Sequence, residues 1–178
     1  VLNAFDTFMH IVRDSFTPSQ FERRTEQGHQ AINEYYSHYL EQFSTNVEIE
    51  LKVPRYSLDG IPVTGKIDKL EIEGESCVVI DYKTGDPDKS AKAYTVAPNE
   101  KEPLGGDYWR QMVFYKILLE NWPDKDYKVS MGMFDYVEKG RISKDFKRVY
   151  VPVFVQDEEI VRAQLRDSWI RIMNHEFD

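Results

Sequence analysis

The chain has 178 residues, 41% apolar and 13% aromatic, with a formal net charge of −8. That is enough apolar material for one folded domain with a sizeable core, and no apolar run reaches the roughly 18 residues of a membrane span. Cys77 is the only cysteine, which excludes disulfides and cysteine-rich metal sites and makes a reducing, cytoplasmic home the expectation.

Residues 1–15 read as a helix with Leu2, Phe5, Phe8, Met9 and Val12 on one side. Thr17-Pro18-Ser19-Gln20 is a helix start, with Thr at the cap, Pro at the first position and Gln three on. The helix is expected to run to about residue 44, with Gly28 as a point of interruption. Tyr35, Tyr36, Tyr39, Leu40 and Phe43 are expected to pack inward. Val47–Tyr56, Ile61–Ile72 and Cys77–Lys83 then read as strands, joined by Ser57-Leu58-Asp59-Gly60 and Glu73-Gly74-Glu75-Ser76. Residues 84–106, with Pro87, Pro98, Pro103 and Gly105-Gly106, read as a long loop. Asp107 is expected to cap a helix to about Asn121. Tyr127–Val137 and Lys147–Val155 read as a hairpin around Glu138-Lys139-Gly140, and Asp157 starts a last helix ending near Asn174. This order predicts an α/β fold of the mixed α+β kind, a mixed sheet with helices against it. A single domain over residues 1–178 is expected, with a helical part at 1–44 and the sheet core at 45–178. Because Val1 opens the chain inside a helical pattern, a piece of a longer protein is expected.

The second hairpin carries the chemistry. Pairing Ile72 with Cys77 places Asp68 opposite Asp81, and Lys66 opposite Lys83 on the same face. Two carboxylates directly opposite repel, and a cation between them removes that penalty. Oxygen ligands with room for water suit Mg²⁺ or Mn²⁺. A solvated charge ladder of Lys66, Asp68, Asp81 and Lys83 is the other reading of the same spacing. Cys77-Val78-Val79-Ile80 is apolar and ends abruptly in Asp81-Tyr82-Lys83-Thr84-Gly85, charged groups where a buried strand meets a cleft. Gln111 and Tyr115, four apart, share a helix face. Taken by itself, that spacing is better explained by an ordinary amphipathic helix packed through Trp109, Met112, Val113 and Ile117. His10, His29, His38 and His175 show no ligand spacing. There is no G-x-S-x-G and no phosphate-cradling G-x-x-x-x-G-K-[ST], so neither serine hydrolysis nor ATPase activity is expected.

Gly65-Lys66-Ile67-Asp68, then Val78-Val79-Ile80-Asp81-Tyr82-Lys83-Thr84-Gly85, then Gln111 to Tyr115 resemble the RecB-like branch of the PD-(D/E)XK nucleases. The likeness is to nuclease domains at the C-terminus of UvrD/Rep-type (superfamily 1) helicases, and it covers roughly residues 25 to 178. The resemblance implies a restriction-endonuclease-like mixed central sheet flanked by helices. It also implies metal-dependent hydrolysis of DNA phosphodiester bonds, within a helicase-nuclease of repair or recombination. Asp68 and Asp81 would coordinate Mg²⁺ or Mn²⁺, with the backbone carbonyl of Tyr82 as a further ligand. Lys83 would position or activate water, and Gln111 and Tyr115 would contact DNA or brace the site. DNA and the helicase portion of the same parent chain are the implied partners, with no membrane. The net charge of −8 is awkward for an isolated DNA binder, so either the partner is not nucleic acid or other parts of that parent hold the strand. A catalytically inert docking module is the alternative. Some branches carry a four-cysteine iron–sulfur cluster, which Cys77 alone cannot form. Family members usually add a metal-binding histidine in a G-T-x-x-H-like helix. That motif is not found here and is expected upstream of Val1, which would leave this fragment weak or inactive alone.

Overall fold

A helix, α1 (Leu2–Ile11), and a 3₁₀ turn at Arg13–Ser15 open the computed structural model, which describes residues 1–90 and 96–176. The next helix, α2 (Pro18–Tyr39), starts where the capping residues predict. The Gln20 N–H donates to the Thr17 hydroxyl at 3.3 Å, and the Thr17 N–H donates to the Gln20 side chain at 3.0 Å. Two otherwise orphaned donors are thereby satisfied. Gly28 does not interrupt α2. It lets α1 close on α2, since a Cβ there would lie 2.1 Å from the Phe5 ring. The helix ends at Tyr39, short of residue 44, and a 3₁₀ turn follows at Leu40–Gln42. Tyr35 and Tyr39 are buried against the Phe146 ring, at 5.6 and 5.7 Å. Tyr36 and Leu40, expected inward, are about half exposed, at 47% and 51%. Each lies one position, or about 100°, round the helix from its buried neighbour. Phe8 is also exposed, so the inward face of α1 is narrower than its apolar residues suggest.

Val1–Phe43, Thr84–Asp88 and Tyr136–Lys147 form one compact unit, and Ser44–Lys83, Lys89–Asp135 and Arg148–Asp178 form another. The second contains nearly all of a mixed five-stranded sheet in the order β1-β2-β3-β4-β5. Its strands are β1 (Val47–Leu58), β2 (Ile61–Glu73), β3 (Ser76–Lys83), β4 (Val129–Tyr136) and β5 (Lys147–Val151). The first three run longer than predicted by a residue or two, and the last two shorter. Asp59 and Gly60 both have positive φ, 51° and 83°, the turn that a two-residue hairpin requires. A register shift in β1 between Val53 and Tyr56 surrounds Pro54, which has no N–H to give the ladder. β1 is an edge strand, where that loss is tolerated. The β2–β3 register is the predicted one, from Glu73↔Ser76 through Ile72↔Cys77 to Lys69↔Ile80.

A short helix, α3 (Pro87–Ser90), occupies part of the expected loop, and residues 91–95 of that loop lie outside the described residues. α4 (Asp107–Glu120) packs on β2 and β3 and buries Trp109, Met112, Val113, Ile117, Leu118 and Leu119. Its cap is Gly106, not Asp107; Asp107 is the first helical residue and its carboxylate pairs with Arg110. Gly105 makes this entry possible. Its φ is 73°, and a Cβ would fall 2.5 Å from the Trp109 ring. α5 (Val155–Met173) packs on α4 and begins two residues before Asp157. Asp157 sits in the first turn instead, accepting the Phe154 N–H at 3.1 Å. No helix among the described residues is long and apolar enough to cross a membrane.

Candidate active site

The end of β3 and one face of α4 bring the predicted residues together within the second unit. Lys83 Nζ lies 2.7 Å from Asp81 Oδ2 and donates to Gln111 Oε1 at 3.1 Å. The Gln111 amide donates to Asp81 Oδ1 at 2.7 Å and to the Tyr115 hydroxyl at 2.8 Å. Tyr115 in turn donates to Asp81 Oδ1 at 3.2 Å. The Tyr82 N–H donates to Asp68 Oδ2 at 3.0 Å. Asp81, Lys83, Gln111 and Tyr115 thus form one closed network, and Asp68 is tied to the residue between Asp81 and Lys83.

Asp81 is only 6% exposed. Burial pushes its carboxyl above the usual carboxylate range. Hydrogen bonds from Lys83 and Tyr115 and the charge of Lys83 pull it back, and the nearby charge of Asp68 pushes it further up. Tyr115 is pushed up to about 12, chiefly by burial, with the Asp81 charge adding to the effect.

Lys66 does not join this group. The paired part of the β2–β3 ladder ends at Lys69↔Ile80. Beyond it β2 stays with β1, where Lys66 faces Lys52 and pairs with the Glu50 carboxylate. Two rings not singled out in the sequence do join it. Lys83 Nζ lies 4.8 Å over Tyr108 and 5.0 Å over Phe134. The available signal was Tyr108 three residues before Gln111; for Phe134 there was none. In the first unit His29 meets the Asp6 carboxylate at 2.5 Å, and His38 lies against the Tyr39 and Phe146 rings.

The profile of the PD-(D/E)XK nuclease superfamily matches residues 4–178. The chain belongs to this superfamily. Among solved structures, a putative exonuclease from Eubacterium rectale superposes with a TM-score of 0.60 at 12% identity. The alignment covers 99% of this chain and 64% of the exonuclease, so the nuclease superfamily chain spans under two thirds of that protein. The protein SSO0001 aligns over 95% of this chain and 67% of its own, at 15% identity and a TM-score of 0.46. No curated protein matches the chain.

PD-(D/E)XK nucleases generally use divalent metals, and the donors at this site are of the right kind. Asp68 and Asp81 offer hard oxygens, the donors that Mg²⁺-like ions prefer. The carboxyl of Asp81 is held above its usual range by burial and by Asp68, a strain that added positive charge relieves. Among the described residues no group of three or more His, Cys, Asp or Glu side chains forms a metal cluster. Two carboxylates suffice for an ion such as Mg²⁺, which keeps several waters and binds substrate phosphates. The residues present therefore fit a hard divalent cation.

Proposed function

We propose that this chain is a RecB-like nuclease domain that hydrolyses DNA phosphodiester bonds with Mg²⁺ or Mn²⁺, as the nuclease part of a superfamily 1 helicase-nuclease. The observation that carries this reading is the closed network of Asp81, Lys83, Gln111 and Tyr115 beside Asp68. Asp68, Asp81 and the Tyr82 carbonyl would hold the cation. When bound, the cation supplies Lewis acidity toward the phosphate and a more acidic water. Lys83 positions the attacking water and balances charge on the phosphate. Gln111 and Tyr115 keep Asp81 oriented. The net charge of −8 fits a cutting domain whose DNA is held by the helicase portion of the parent chain. The setting proposed with this reading is DNA repair or recombination in the cytoplasm.

The test is cleavage of end-labelled DNA by the protein that contains this chain. Lys83→Ala is expected to abolish Mg²⁺-dependent cutting, and cutting at the unaltered rate would sink the assignment. A second reading, an inert docking module, draws on the finding that no group of three or more metal-ligating side chains is gathered among the described residues. Calorimetric titration with Mn²⁺ separates the two. Heat that disappears in both Asp68→Asn and Asp81→Asn supports the nuclease. Heat indifferent to both favours the inert module.

A further inference from the structure

We propose that Tyr108 and Phe134 are positioning residues, a cation–π clamp that keeps the Lys83 ammonium at the reaction centre when Asp81 turns to a metal ion. The proposal rests on the nuclease reading above. Among the described residues Lys83 has two polar anchors, Asp81 Oδ2 at 2.7 Å and Gln111 Oε1 at 3.1 Å. The first is also a donor that a divalent cation needs. A cation sharing that carboxylate repels an ammonium beside it, and a lysine on a flexible four-carbon stem then drifts toward water. Something else has to hold it.

The two rings supply that hold. Their centroids lie 4.5 Å apart at 32° to each other, with Lys83 Nζ within 5.0 Å of both. The negative face of an aromatic ring attracts an ammonium at this range. A ring is also neutral and is no ligand for a hard cation, so it holds the lysine without competing for the metal. A third carboxylate would hold the lysine and also capture the ion. The placement has a local cause. Tyr108, Gln111 and Tyr115 follow one another at three and four residues along α4, so one helical stripe meets the end of β3. Phe134 comes from β4 and is fully buried. Burial alone would explain Phe134 as core. Tyr108, in the first turn of α4, is only half-buried, and its ring, packed on Phe134 at 4.5 Å, reaches the Lys83 ammonium from the solvent side of the core.

Fluorinated phenylalanines at position 108 test the clamp, because successive fluorines drain the ring's negative face at nearly constant shape. Tyr108→Phe is expected to keep kcat within about twofold, with a stepwise fall to about tenfold for the most fluorinated ring. KM for DNA and calorimetric Mn²⁺ affinity should stay unchanged along the series. A flat kcat in a protein whose cleavage depends on Lys83 overturns the clamp and leaves the nuclease standing. Cleavage that ignores Lys83→Ala overturns the nuclease reading instead. A second measurement needs no activity. In the metal-free protein the Lys83 Hε resonances should lie upfield from ring currents and move back in Tyr108→Leu, with most backbone amides unmoved. Unshifted Lys83 resonances in the unaltered protein overturn the clamp whatever the kinetics show.

Discussion

Gln111→Leu is the sharpest test of the geometry itself. Leucine is close in size to glutamine but deletes all three hydrogen bonds of the Gln111 amide, those with Asp81, Tyr115 and Lys83. Two of these involve a charged partner, worth about 1.5–3 kcal/mol each, and the third is worth about 1 kcal/mol. The sum overstates the loss, because Asp81 Oδ1 keeps the Tyr115 hydroxyl at 3.2 Å and Lys83 keeps Asp81 Oδ2 at 2.7 Å. Leucine also gains a little from burial. A net cost of about 2–3 kcal/mol remains. At this chain length each kcal/mol lowers Tm by about 2–4 °C, so a fall of about 4–12 °C is expected. Calorimetric melts of the protein in chelator, free of metal, give the number directly. Repeating the substitution in a Lys83→Met background should recover about 1 kcal/mol, since the Lys83–Gln111 bond is then already gone. A Tm within about 2 °C of the unaltered protein, or strict additivity of the two changes, would refute a network in which Gln111 is the hub.

The Asp81 carboxyl predicts a pH dependence. Its folded value is raised, first by burial. The stability tied to its protonated form is therefore fully present below the ordinary carboxylate value of 3.8 and is lost as pH rises through the folded value. Metal-free protein should accordingly lose unfolding free energy over that window relative to Asp81→Asn, measured by urea titration at several pH values, and parallel curves would contradict the burial argument. A separate network predicts a large loss for Lys116→Met. Lys116 is buried, 2.6 Å from Glu120 and 3.7 Å from Glu158, with the Val129 carbonyl at 3.5 Å. Removing it takes the lysine from two largely buried carboxylates, of which Glu120 keeps the Val129 N–H at 2.7 Å and Glu158 keeps Arg162 at 3.7 Å, a cost of about 2–3 kcal/mol. A change below about 1 kcal/mol in denaturant titration would show that water already compensates these charges.

The hairpins were legible because their signals are local. Gly60 and Gly74 turn the chain, and the alternation on either side pins the register, so Asp68 could be brought to the neighbourhood of Asp81 by pairing Ile72 with Cys77. What happens just past Lys69↔Ile80 was not legible, because three strands decide it together. There the Tyr82 N–H is taken by a side chain, the Asp68 carboxylate, and Lys66 is drawn off to Glu50 on β1. Glu50 itself has φ of 53° inside a strand, a conformation no pattern of apolar residues announces. The same limit applies to the helix. A spacing of four says that Gln111 and Tyr115 point the same way, but not at what. That is decided by Trp109, Met112 and Val113, which are buried as α4 packs on the sheet, and by Gly132 of β4, where a Cβ would meet Met112 at 2.7 Å. The close approach at Gly132 brings the α4 stripe of Tyr108, Gln111 and Tyr115 to the strand ends that carry Asp81 and Lys83. It also brings Phe134, two residues on in β4, beside Tyr108. An aromatic residue in an apolar strand reads as core from sequence alone. Its second neighbour, a lysine 51 positions earlier in the chain, becomes visible only once that crossover is made.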